Sequence, residues 1–184
     1  MCEVYAVNRH QLTLEIKRQA KQLGFDACGI SKAEQLDEEA RLLEAWLNQN
    51  LQGKMGYMQN HFDKRIDPRK LVDGARSVIS LSYNYFTGLK QQDDSAPKIA
   101  MYALGKDYHE VLRGKLELLL SFIRGKMGEV NGRCFVDSAP VLEKAECNRL
   151  GNRWALCHGF ILSSASPIGL DGWPRLSRFI ACRC

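Results

Sequence analysis

No stretch of this chain approaches the ~20 consecutive apolar residues that a helix needs to cross a bilayer. The first ten residues carry Glu3 and lack the apolar centre of a secretory signal. These two absences lead us to expect a cytoplasmic protein with no membrane partner, and a monomer. The cysteines number seven, at positions 2, 28, 134, 147, 157, 182 and 184, and no two of them form a Cys-x-x-Cys pair. A zinc ribbon or a locally ligated iron–sulfur cluster therefore has no signature here. An odd count without a secretory signal also speaks against a disulfide scaffold. Cys182 and Cys184, one residue apart, are too close to make a metal site by themselves, so no metal ligand is expected in this chain. Internal repeats and low-complexity tracts are missing as well, which sets aside solenoids and arrays.

What is present suits one folded domain. A length of 184 residues supports a proper core, and the apolar share is that of a globular chain. The net charge of +5 permits a nucleic-acid partner without requiring one. Lys54, Lys64, Arg65, Arg69 and Lys70 allow a basic surface, although a solvated face accounts for them equally well. No basic stripe with interleaved aromatics runs through residues 1–144.

Periodicity predicts a helix over 10–23, with Leu12, Ile16, Ala20 and Leu23 on one face and Gly24 as its stop. A buried strand follows at 26–30, with Ser31 as a cap for what comes next. A second helix spans 36–50, burying Leu36, Ala40, Leu43, Trp46 and Leu47. Residues 53–58 hold two glycines and two methionines. They fit either a close-packed irregular segment or a plain helix-to-loop junction. Strands are predicted at 77–83 and 98–103, separated by a polar loop over 87–97. Asp107 can cap a helix running to about residue 127, with Leu112, Leu116, Leu119, Leu120 and Ile123 inward. A strand at 133–136 then delivers Asp137, and Pro140 suits the first turn of a closing helix. The order implies an α/β (α+β) domain, a mixed sheet flanked by helices.

Two segments carry candidate chemistry. Asp137 sits where a strand ends, the edge at which ligands of open sheets tend to bind. An apolar ligand shielding it would raise its affinity for a proton and let it act as an acid near neutral pH. The other reading makes Asp137 a cap for the following helix. In residues 99–109 a strand ends at Gly105 and a helix opens with Asp107, Tyr108 and His109. The positive end of that helix can face an anion. Alternatively, Tyr108 is a packed aromatic and His109 a surface residue.

Six pieces then occur in a fixed order: Gly24-Phe25-Asp26; Gly53-Lys54-Met55-Gly56-Tyr57-Met58; Arg65-Ile66-Asp67-Pro68-Arg69-Lys70-Leu71; Ala75-Arg76-Ser77-Val78-Ile79; Tyr102-Ala103-Leu104-Gly105-Lys106-Asp107-Tyr108-His109; and Phe135-Val136-Asp137-Ser138-Ala139-Pro140-Val141-Leu142-Glu143. In that order the series resembles the epoxyqueuosine reductases, and the likeness covers roughly residues 10–144. The resemblance implies an oxidoreductase that reduces epoxyqueuosine to queuosine at the wobble position of tRNA. It implies a cobalamin held beside the modified base and two 4Fe–4S clusters in a ferredoxin-like part that supply electrons. It implies an aspartate that donates a proton to the opening oxygen, which the motif places at Asp137. Cobalamin contacts are expected from Arg65, Tyr102, Ala103, Asp107, Tyr108 and His109. Arg65 has the competing reading of a surface ion pair with Asp63 or Asp67.

The likeness stops after Lys144. The family continues with a glycine-rich stretch and two sets of cluster cysteines, and neither is found here. Residues 145–184 hold four of the seven cysteines, two of the three tryptophans and no lysine, against twelve lysines in residues 1–144. The expected organisation is a cobalamin-binding domain over 1–144 and a divergent tail over 145–184, with the ferredoxin-like cluster domain missing. Such a fragment is expected to lack activity alone, as the remnant of an enzyme or as a non-catalytic corrinoid-binding module. Iron and sulfide in purified protein would favour the enzyme, and corrinoid uptake without iron the module. The tail is either a frameshifted reading or a genuine diverged ending. Sequencing the encoding locus is expected to reveal a second frame that restores the glycine-rich stretch and the cluster motifs. A locus without such a frame overturns the frameshift.

Overall fold

A computed structural model describes residues 9–84, 91–93, 95–100, 103–137, 139–149 and 157–163. Helix α1 (Arg9–Gln22) leads to strand β1 (Ala27–Lys32), helix α2 (Asp37–Asn48) and the short α3 (Phe62–Ile66). Strand β2 (Ala75–Ser82), helix α4 (Tyr108–Met127), strand β3 (Asn131–Phe135), helix α5 (Glu143–Arg149) and strand β4 (Cys157–Ser163) complete the order. The strands lie side by side as β1-β2-β4-β3, and each neighbouring pair is antiparallel. This is a small sheet flanked by helices, of the α+β kind that the element order allows. Strands β2 and β3 both oppose β4, so they run in the same direction, and α4 is the long connection that such a pair needs.

Helices α1 and α4 cover one face of the sheet. Leu12, Ile16 and Ala20 of α1 meet Leu112, Leu116, Leu119, Leu120 and Ile123 of α4 over Ile30, Ile79 and Leu81. These are the positions that helical spacing assigns to the inward faces. Strand β2 alternates: Ile79 and Leu81 join this core, while Val78 faces a second cluster with Ala33, Val72, Ala75 and Phe135. Strand β2 is buried on both faces, and Ser77, Ser80 and Ser82 are buried along with its apolar residues.

Lys115 ties the two helices together. Its ammonium donates to the carbonyl of Leu23 at 2.8 Å, at the end of α1, and lies 4.5 Å from the centre of the Tyr83 ring. Gly24 turns the chain there with a φ of 86°, and a Cβ on it would meet that ammonium at 3.1 Å. A left-handed turn beside a tight neighbour suits glycine.

Several boundaries differ from expectation, each for a tertiary reason. Residues 98–100 and 103 are not in a strand, and Ile99 is exposed. Ser31 is not a cap, because pairing with β2 carries β1 on to Lys32. Helix α2 begins at Asp37 without a side-chain cap, and three acids in its first turn complement its dipole instead. Pro140 lies ahead of α5 rather than inside it, in a tight turn where Val141 N–H donates to the carbonyl of Ala139. Residues 53–58 form exposed turns, with Met55 and Tyr57 facing out. The inner position between β2 and β3 is taken by β4, from the segment for which periodicity assigns no fold, and α5 runs across residue 144.

Leu116 is fully enclosed in the larger core. Leu116→Ala leaves a cavity among side chains that cannot all collapse, and is expected to cost roughly 2–5 kcal/mol. Urea unfolding followed by circular dichroism measures it. A loss under about 1 kcal/mol would mean that α4 is not seated as described.

Candidate functional site

Asp107 is the residue from which the site is built. Its carboxylate accepts from the backbone N–H of His109 at 2.9 Å and so caps α4. The same oxygen lies 2.8 Å from His109 Nδ1. The backbone and side-chain hydrogen bonds from His109 hold the Asp107 carboxyl below the usual aspartate range. The His109 ring is thereby pinned and stacks on the ring of Tyr108, with 4.1 Å between centroids. Tyr108 in turn packs against the α1–α4 core. It is therefore a packed aromatic and also a polar arm, as amphipathic rings often are.

That arm reaches Asp137. The Tyr108 hydroxyl donates to Asp137 Oδ2 at 2.6 Å, and His109 Nε2 lies 4.0 Å from the same oxygen. Phe135 and Val136 are buried and fix the strand end. Asp137 then takes a φ of 51°, in the left-handed region that aspartate tolerates better than most residues. The turn aims its carboxylate at the start of α4 and its N–H the other way, toward Glu143 Oε1 at 3.1 Å. Asp137 does not cap α5. That helix starts six residues later, and the described bonds of the Asp137 side chain run to α4 and to Glu143.

Glu143 is the site residue that the sequence reading passed over, although it closes the sixth motif. Burial, then the nearby Asp137 carboxylate, push its carboxyl up to about 8, and a hydrogen bond between the two side chains adds to the shift. A carboxyl raised that far keeps its proton at neutral pH. The spacing of six residues is the only sequence signal for this contact. The desolvation behind it is invisible without the fold.

Among the described residues, Arg65 and Ala103 make their hydrogen bonds with other partners. Arg65 makes neither of the ion pairs considered for it. Its guanidinium donates to the carbonyls of Asn60 at 3.1 Å and Tyr57 at 3.0 Å, fastening the turn that carries residues 56–58. Asp67 instead binds Arg69 through two 2.8 Å contacts, and Asp63 lies 3.8 Å from Lys70. Ala103 is exposed, with its N–H bonded to the carbonyl of Ala100. Tyr102 lies outside the described residues. Four of the seven expected site residues, Asp107, Tyr108, His109 and Asp137, come together, and Glu143 joins them. Among the described residues no group of three or more His, Cys, Asp or Glu side chains is placed to hold a metal ion. No helix among them is long and apolar enough to cross a membrane.

A carboxyl pair at a strand end, bridged by a tyrosine to the capped start of a long helix, is an arrangement that can hold and release a proton. Residues 65–138 match the family model described as "Epoxyqueuosine reductase QueG, DUF1730". The chain is 57% identical over 141 residues to an epoxyqueuosine reductase of Leadbetterella byssophila, covering 76% of this chain and 46% of that one. It is 55% identical over 148 residues to one of Cellulophaga algicola, covering 80% and 48% respectively. A crystal structure of epoxyqueuosine reductase with an epoxyqueuosine-modified tRNA-Tyr stem loop superposes with a TM-score of 0.70 at 25% identity, covering 85% of this chain and 46% of that one. The matched part of this chain is similar to epoxyqueuosine reductases, and the chain spans about half the length of the curated relatives it matches.

The raised Glu143 carboxyl makes stability depend on pH. A carboxyl with a folded value near 8 and an unfolded value of 4.5 contributes stability that is full below 4.5 and is lost as pH rises through about 8. The melting temperature is expected to fall across that window in the wild type and to stay nearly level there in Glu143→Gln. Identical slopes in the two proteins would show that Glu143 is not the group that titrates.

Proposed function

We propose that this chain is the N-terminal, cofactor-binding portion of an enzyme that reduces epoxyqueuosine to queuosine in tRNA, with Asp137 as its proton donor. The observation that carries the reading is the meeting of two remote motifs, through the 2.6 Å bond from Tyr108 to Asp137. Opening an epoxide places charge on the departing oxygen, and an acid beside that oxygen lowers the barrier. The Asp137 side chain is 36% exposed, so it is reachable from outside while held by Tyr108. A tRNA partner is supported by the stem-loop complex of the superposable reductase. A cytoplasmic place follows from that substrate.

The residues present fit a corrinoid of the family's kind. Its amide arms need neutral and charged hydrogen-bonding partners, and Asp107, Tyr108 and His109 offer both at an exposed helix start. Tyr102, Ala103 and Arg65 are the further proposed contacts. A bound cobalamin supplies the reducing chemistry at the epoxide. The chain's own residues bind and orient: Asp107 fixes His109, His109 and the core fix Tyr108, and Tyr108 fixes the Asp137 carboxyl from which the proton leaves. The two 4Fe–4S clusters do not fit these 184 residues, which contain no Cys-x-x-Cys pair, and no cluster step is assigned to them.

Titrating the purified chain with cobalamin and following visible absorbance tests the reading. The expected result is a shift to the base-off spectrum with micromolar or tighter affinity, altered in Asp137→Ala because that carboxyl borders the cofactor. Folded protein that leaves the cobalamin spectrum unchanged overturns the reading for this chain.

A further inference from the structure

Asp137 cannot by itself supply all the protons that the proposed reaction needs. Removing an epoxide oxygen as water takes up two electrons and two protons, and one carboxyl holds a single proton. Glu143 stands directly behind Asp137. One of its oxygens accepts from the Asp137 N–H at 3.1 Å, and its side chain hydrogen-bonds that of Asp137. Glu143 is also more deeply buried than Asp137, which opens to the outside. The arrangement is a file, with an inner carboxyl, an outer carboxyl, and then the place where substrate would lie.

We propose that Glu143 is the proton reserve of this site, holding the one proton of the carboxyl pair and passing it to Asp137 for delivery. The proposal rests on Asp137 being the donor. The Glu143 Oε–H bond breaks as an Asp137 Oδ–H bond forms, and that Asp137 Oδ–H bond breaks as an O–H bond forms on the opened oxygen, so the pair gives up its one proton. Solvent then returns one proton to Glu143, and the same relay protonates the oxygen once more as it leaves as water. No electron passes through the pair. The two electrons belong to the cobalamin-linked supply of the complete enzyme.

The surroundings favour one shared proton. Two carboxyl groups in hydrogen-bond contact cannot both carry charge without a large penalty, so one stays protonated while the other ionises. Tyr108 and His109, the groups that reach Asp137 from α4, stabilise charge on the outer member. Asp107 draws on the far side of the His109 ring. On α5 itself, Lys144 is exposed and Glu146 is buried one turn further on. No cation is among the causes that shift Glu143. The proton is thus kept on the inner carboxyl by burial and by its charged neighbour, and the outer carboxyl is held ready to receive it. Glu143 acts through Asp137 and is a positioning residue, not a group that touches substrate.

A carbon-13 carboxyl titration of glutamate-labelled chain tests this, with the Glu143 signal assigned by its loss in Glu143→Gln. The expected midpoint in the wild type is near 8, and Asp137→Asn should move it down by about one pH unit, a tenfold change in the acid constant. A wild-type midpoint in the ordinary carboxylate range overturns the proposal without recourse to any variant. A raised midpoint that Asp137→Asn leaves in place also overturns it, because burial alone would then account for the shift and no proton is shared. The titration uses neither corrinoid nor tRNA, so its outcome stands apart from cofactor uptake. A chain with the coupled pair and no affinity for cobalamin would fail the functional reading and keep the pair.

Discussion

The seating of α4 is the constraint on which the rest depends. Five inward side chains, from Leu112 to Ile123, lock its rotation against α1 and the sheet, and Lys115 fastens its middle to the end of α1. A helix held over that length has no freedom left at its first turn. Asp107 caps it, and Tyr108 and His109 then stand at one fixed place above the end of β3. The core energy is of the ordinary kind, about 1.5–3 kcal/mol for each large side chain fully enclosed. What it achieves locally is uncommon: it sets a hydroxyl and a carboxylate 2.6 Å apart across 29 residues of chain.

The electrostatics of the site follow from depth. Asp107 lies outermost and is held ionised by the hydrogen bonds of His109. Asp137 is intermediate, part exposed and part gripped by Tyr108. Glu143 is deepest, and its carboxyl keeps a proton to about pH 8 because water is scarce and a like charge is near. Asp107 and Glu143, two carboxyl groups of similar intrinsic acidity, are thus separated by environment alone, the general device by which proteins divide acid from base roles. The left-handed turn at Asp137 brings its side chain to Tyr108 and its N–H to Glu143.

The sheet shows how far local pattern reaches. Strands β1, β2 and β3 were legible because each carries a short apolar or β-branched run between turn signals. Their ends moved by one or two residues once pairing was known, since a strand extends as far as its neighbour supports it. Residues 98–100 have strand-like composition but are not a strand, and Ile99 among them is exposed. Residues 157–163 hold the apolar run Phe160-Ile161-Leu162, which periodicity cannot classify, and they fill the slot between β2 and β3. For 157–163 the deciding fact was pairing with strands on both sides.

The sequence by itself determined the three longest helices, the buried faces of α1 and α4, the α+β class and the order of six motifs that relates residues 10–144 to the epoxyqueuosine reductases. It also singled out Asp107, Tyr108, His109 and Asp137, because motif and cap signals are written in consecutive residues. Only the tertiary structure decided that these four meet, that Arg65 braces a turn, and that Glu143 stands behind Asp137 with its proton retained. The reason is physical. Helix faces and caps depend on neighbours within a few residues, which spacing records. Proton affinity and strand pairing depend on what is packed alongside from far along the chain, which spacing does not record.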